Sequence, residues 1–254
     1  MRGTVFSEII RKDLMKMECQ EKLEFLLQKY GVSVSGSLQP DGRALIMDGQ
    51  EIPLLPWRAE RRFIELKQMV DSKTVENVSV MRVCRIEPVG ADFRRMLCRE
   101  LDICQWILGD DAASVFAVQA GKTALNAAVT LSSGVVCTLE LAATLRPGQA
   151  PIDKHEIISE RGVACDRAVD TQVPQQSIYT FGACGEKTYL DTDFELFGCS
   201  PEETAVVRSA FGLLKEPQSA PQKIRENERL LQRADLILQS AKTGSVQEVS
   251  LCGR

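Results

Sequence analysis

The stretch SVFAVQAGKTALNAAVTLSSGVVCTLELAATL, residues 114–145, decides the fold class. SVFAVQA, LNAAVTL and VVCTLELAATL are runs of β-branched and small apolar side chains, broken only by turn material at Gly121-Lys122 and Ser133-Gly134. Gaps this short favour antiparallel neighbours, because parallel strands need a crossover of about a dozen residues or more. The same grammar continues to residue 191. HEIISE, VACDRAV, QSIYTF and EKTYLD follow, separated by Arg146-Pro147-Gly148, Arg161-Gly162 and Cys184-Gly185.

Helical patterns flank this block. Residues 92–108 carry an inward stripe of Phe93, Met96, Leu97, Leu101, Cys104, Ile107 and Leu108, with Asp92 placed to cap the start and Gly109 the end. Residues 76–87 read as a long strand, and 58–71 as a helix with Phe63, Leu66, Met69 and Val70 facing inward. Further upstream, residues 8–30 form a helical pattern closed by Gly31. A short strand is expected in VSVSGS, then a hairpin around ALIM between Pro40-Asp41-Gly42 and Leu55, with Pro53 and Pro56 confining its last strand to an edge. Downstream, Ser200-Pro201-Glu202-Glu203 opens a helix with a cap, a proline at the first position and a glutamate at the third. A last helix is expected over 224–241 and a short strand over 246–251. The fold class is α+β: a large, predominantly antiparallel open sheet with helices on one face. Two domains are expected, 1–57 and 58–254.

Composition narrows the function. Thirty-one basic against thirty-five acidic residues leave a net charge of −4, which argues against a nucleic-acid-binding surface. No run approaches the length of a membrane span, no signal-like apolar region opens the chain, and nine scattered cysteines without C-x-x-C suit a reducing compartment. The expected location is cytoplasmic, without nucleic acid or membrane as partner. Glycine-rich phosphate loops, H-E-x-x-H and G-x-S-x-G are missing. The single histidine, His155, cannot build a multi-histidine metal site, and beside Lys154 and Glu156 it reads as a solvated surface group. Asp191, Asp193 and Glu195 alternate but supply too few oxygens for calcium. The pairs Arg61-Arg62 and Arg94-Arg95 read as exposed helix faces, and Trp57 and Trp106 as packing residues. No catalytic, cofactor-binding or metal residue is assigned.

Four stretches taken in order resemble the C-terminal, substrate-side domain of the Gfo/Idh/MocA oxidoreductases. RRFIELKQMVDSKTVENVSVMRV (61–83) is similar to that family's helix-then-strand entry, and RELDICQWILG (99–109) to its H-x-x-D helix. NAAVTLSSGVVCTLELAATL (126–145) resembles its hairpin, and LLQRADLILQSAKTGSVQEVSL (230–251) its closing helix and strand. EKLEFLLQKYGVSVSG (21–36) resembles the end of the family's nucleotide-binding domain. The resemblance implies a polyol or sugar dehydrogenase scaffold, a broad sheet used for oligomerisation, and a ligand pocket around Arg85, Arg99 and Asp102.

Departures from the family pattern redirect that expectation. No Rossmann unit stands upstream of Arg61, and the E-K-P lysine has no counterpart. The histidine of H-x-x-D is Arg99 here, while Asp102 is kept. An arginine holds its proton at physiological pH, so it cannot shuttle one as imidazole does. The expected function is a non-catalytic or accessory oxidoreductase-like protein, with a sugar- or carboxylate-type ligand near those three residues. The alternative is the substrate-side subunit of a split oxidoreductase that acts on CH-OH groups with NAD(P) from another chain. For the isolated chain no cofactor is expected. Partners are a second copy through the sheet face, or a full-length oxidoreductase.

Overall fold

A computed structural model describes residues 19–160, 162–166, 195–196 and 199–249, and the backbone of 178–182, 185–189 and 194. The chain divides into two compact units, Met1–Glu60 with Asp170–Asn227 and Arg61–Val169 with Glu228–Arg254. A contiguous split after residue 57 was expected. The observed first break lies three residues later, and the second segment of the first unit comes from far down the chain.

The first unit holds helix α1 over 19–29 and a three-stranded antiparallel sheet in the order β1 (Ser37–Leu38), β2 (Ala44–Met47), β3 (Gln50–Pro53). Pro53 therefore lies on an edge strand, where its missing N–H breaks no ladder. VSVSGS supplies only Ser37 of β1, and the rest of that run is irregular. Gly36 explains the close approach: a Cβ there would meet the Ile46 carbonyl and the Leu45 and Leu214 methyls at 3.1 Å. Helix α4 (Pro201–Lys215) begins with the full capping box, Ser200 bonding the Glu203 N–H and Glu203 bonding back. Leu23, Leu26, Leu38, Leu45, Ile52, Val207, Ala210 and Leu214 form the core of this unit. The hairpin of β10 (Ile178–Gly182) and β11 (Gly185–Tyr189) is a separate two-stranded sheet belonging to it.

The second unit is built on a seven-stranded sheet. Its members are β4 (Val78–Pro88), β5 (Ala112–Ala120), β6 (Ala124–Leu131), β7 (Val136–Leu145), β8 (Ile152–Ser159), β9 (Gly162–Cys165) and β12 (Gln247–Glu248). They lie in the order β12-β5-β6-β7-β4-β8-β9. Every pair is antiparallel except β4 with β7, which run parallel. The exception arises because β4 enters between β7 and β8, so the β7–β8 connection steps over it. Helices α2 (Arg61–Asp71) and α3 (Phe93–Leu108) belong to this unit, and α5 runs over Ala220–Thr243. Residues 56–59 form a 3-10 turn ahead of α2, so that helix starts three residues later than its pattern suggested. Among the described residues, no helix is long and apolar enough to cross a membrane.

Alternation sorts the sheet into two faces. Met81, Val83 and Arg85 of β4, Cys137, Leu139 and Leu141 of β7, and Asp153, His155 and Ile157 of β8 are buried together. Helix α3 packs here, with Asp92 capping its start and Gly109, at φ 64°, ending it. The helix is buried almost all round, and Glu100, Asp102 and Gln105 are buried with its apolar stripe. Charged groups therefore stand inside this unit's core, and they have to be neutralised there.

A buried ion network as the candidate site

Two strands and two helices bring the charges together. In the β4–β8 ladder Arg85 is paired directly with Asp153, and Val83 with His155. Helix α3 supplies Arg99 and Glu100, α2 supplies Arg62 and Phe63, and Asp166 follows β9.

Asp153 is the hub. Arg62 grips it with a fork, Nη1 to Oδ1 at 2.7 Å and Nη2 to Oδ2 at 2.9 Å. Arg85 reaches it at 3.0 Å and Arg99 at 3.2 Å, both through Oδ2. Burial alone would raise the Asp153 pKa, but Arg62 and then Arg99 outweigh it and hold the carboxyl far below its ordinary range. Arg85 also donates to Glu87 at 2.7 Å, and Arg99 donates to Glu100. Glu100 has no exposed surface; burial pushes its pKa up, yet Arg99, His155 and Arg85 bring it down to about 2.

His155 sits between two carboxylates. Its Nε2 lies 2.7 Å from Glu100 Oε2 and its Nδ1 2.7 Å from Asp166 Oδ2. Asp166 also accepts the His155 backbone N–H at 2.8 Å, and Arg62 at 3.0 Å. The Phe63 ring meets the imidazole edge-on at 4.6 Å, with the Arg62 and Arg99 guanidinium groups over that same ring. Burial pushes the imidazole pKa down, while Glu100 and Asp166 push harder the other way and leave it at about 8. The charges then balance: Arg62, Arg85, Arg99 and an imidazolium face Glu87, Glu100, Asp153 and Asp166.

Asp153, His155 and Asp166 place ligand atoms within 4.8 Å of one another, a spacing that could hold a cation. Arg62 already bonds both carboxylates, and both ring nitrogens face carboxylates, so the guanidinium does the neutralising a metal would do. The arrangement is an ion lock that ties α2, α3, β4, β8 and the end of β9 together.

Sequence reasoning placed some of these residues and missed others. Arg85 and Arg99 do come together, both on Asp153. Asp102 is buried on the same helix, 2% exposed. His155 is no surface group: it has zero exposure, because it shares the helix-covered face with Asp153 and Ile157. Glu100 was overlooked, although it lies four residues from both Met96 and Cys104 and so on the inward stripe. Arg62 leaves its exposed helix face to join the lock, whereas Arg61 stays outside and pairs with Glu65. Arg94 forks onto Asp235 of α5. Asp191 and Asp193 lie outside the described residues, and Glu195 accepts from Lys29 and Tyr30.

No family model matches the sequence, and no curated protein is similar to it in sequence. Solved structures are similar in fold. The myo-inositol dehydrogenase of Corynebacterium glutamicum ATCC 13032 superposes with a TM-score of 0.57 at 13% identity, over 77% of this chain and 63% of that one. Myo-inositol 2-dehydrogenase of Lactobacillus plantarum gives 0.55 at 16%, over 77% and 64%. Scyllo-inositol dehydrogenase of Lactobacillus casei, solved with NAD(H) and scyllo-inositol, gives 0.53 at 15%, over 76% and 63%. The chain thus spans less than two thirds of the length of these dehydrogenases. It has the α+β fold of the Gfo/Idh/MocA oxidoreductases' C-terminal domain.

Proposed function

We propose that the protein is a non-catalytic, accessory relative of the polyol dehydrogenases whose fold it shares. One observation carries this reading: Arg99, at the position that resembles the H-x-x-D histidine, is bonded to Glu100 and Asp153 inside the core. A guanidinium so held neither moves a proton nor receives a substrate hydroxyl. Arg85, equally committed to Asp153 and Glu87, serves the fold in the same way, and a sugar acid could reach either arginine only by displacing an internal carboxylate. Titration of the purified chain with NADH and NADPH, followed by nicotinamide fluorescence, tests the reading. The expected result is no saturable signal. Micromolar binding by the chain alone overturns it, and binding that appears only with a second, nucleotide-binding chain replaces it with the split-enzyme reading.

The accessory role also needs a surface. The sheet face opposite α3 favours a second copy of this chain. Val136, Val80, Ile158 and Val163 stand in one row across β7, β4, β8 and β9, half-exposed or exposed. Ile86 and Ile152 are paired two residues beyond Cys84–Lys154 and four beyond Arg82–Glu156, on the same face. The charges between these rows are Arg82, Lys154, Glu140 and Glu156, two of each sign, so a two-fold copy meets no net repulsion. Sedimentation should give a dimer that Ile158→Asp converts to monomer. A monomeric wild-type protein at tens of micromolar removes this part of the reading.

A further inference from the structure

The groups that face the His155 ring are Glu100 of α3, Asp166 beyond β9 and Phe63 of α2. Behind them stand Arg62 of α2, Arg85 of β4, Arg99 of α3 and, on the same strand, Asp153. Two carboxylates at 2.7 Å require two N–H donors, and only the charged ring has two. A neutral imidazole has one, and its other nitrogen would turn a lone pair onto a carboxylate oxygen.

The two ends of this bridge are unequal. Glu100 belongs to a sixteen-residue buried helix and keeps Arg99 and Arg85. Asp166 follows a four-residue strand that, among the described residues, pairs on one side only, with β8. Its remaining side-chain partners are the His155 backbone N–H and Arg62, whose side chain is 30% exposed. We propose that the proton on His155 works as a latch: while it is present, the ring fastens the end of β9 to α3, and when it leaves, β9 and Asp166 come away from the sheet edge while α3 stays seated. The latch is independent of the accessory reading, since it concerns the unit's own edge and no ligand.

Hydrogen exchange of the full chain between pH 6 and pH 9, corrected for the intrinsic chemical rate, tests the latch. Because the chain has a single histidine, its ring C–H resonance reports the protonation state without assignment. Opening in peptides covering 162–166 should rise as the pH passes the folded ring value of about 8, by less than the about thirtyfold that complete release of the ring to 6.5 would give, because Glu100 stays beside it. Peptides from α3 should stay protected, and the ring resonance should titrate in step with the opening. His155→Gln, whose amide donates at one end and only accepts at the other, should be open at both pH extremes. Equal opening of 162–166 in wild type at pH 6 and pH 9 overturns the latch. So does a pH dependence that survives in His155→Gln, or exchange in α3 that rises together with β9. If His155→Gln fails to fold, the wild-type comparison of the two peptides decides.

Discussion

Replacing Glu100 by Gln is the sharpest probe of the ion lock. The substitution keeps the shape but leaves three arginines and an imidazolium facing three carboxylates, one uncompensated positive charge in a group of buried side chains. The magnitude can be read from the carboxyl itself. Its pKa falls from 4.5 to about 2, and at 1.36 kcal/mol per tenfold change this links about 3 kcal/mol of folding stability to its ionised form. Glu100 has no exposed surface, so solvent screening does not reduce the figure. Breaking one side of a buried pair costs about 3–5 kcal/mol in other proteins, and the two routes agree. Because the folded pKa is depressed, this stability is present above about pH 4.5 and is lost as the pH falls toward 2. Urea unfolding at pH 7 should therefore show Glu100→Gln lower by about 3 kcal/mol with an unchanged slope. At pH 3 the gap between variant and wild type should narrow. A loss under 1 kcal/mol at pH 7, or a gap independent of pH, would refute the claim that this carboxylate is held by its cationic neighbours.

Wild-type stability should fall on the alkaline side as well: the His155 pKa is raised from 6.5 to about 8, so up to ~2 kcal/mol is present below pH 6.5 and disappears as the pH passes 8, which denaturant melts from pH 6 to 9 would reveal. Ser240 is fully buried, accepts the Ala117 N–H at 3.0 Å and donates to the Ser245 carbonyl, so Ser240→Ala should cost about 1–3 kcal/mol by leaving both unpaired, measured in the same melts. Ser200→Ala removes the α4 cap and should cost about 1 kcal/mol, with Ser200→Gly closer to wild type.

Local chemistry was legible along the chain. Asp92, Gly109, Ser200, Pro201 and the ALIM hairpin act where their residue types place them, because caps and turns are settled by a few neighbouring bonds. The period-two runs from 114 to 145 gave β5, β6 and β7 within two residues for the same reason. The buried charges were half legible. Glu100 recurs at helical spacing with Met96 and Cys104, and Asp153 and His155 recur at strand spacing with Ile157, so their burial could have been inferred from position. Reading His155 as solvated, and passing over Glu100 and Asp153, followed residue type and ignored the stripe.

Pairing partners came from elsewhere. The amino-acid order by itself determined an antiparallel-rich α+β chain whose helices and strands begin and end at identifiable caps and turns, since those choices rest on contacts a few residues long. Only the tertiary structure decided that β4 slips between β7 and β8, next to the parallel strand, and that Arg62 and Asp153, ninety-one positions apart, share a fork. It alone set Arg99 against Glu100 and Asp153 inside the core. Whether a charge meets water or its opposite depends on which distant segment packs over it, and that is a property of the assembled fold.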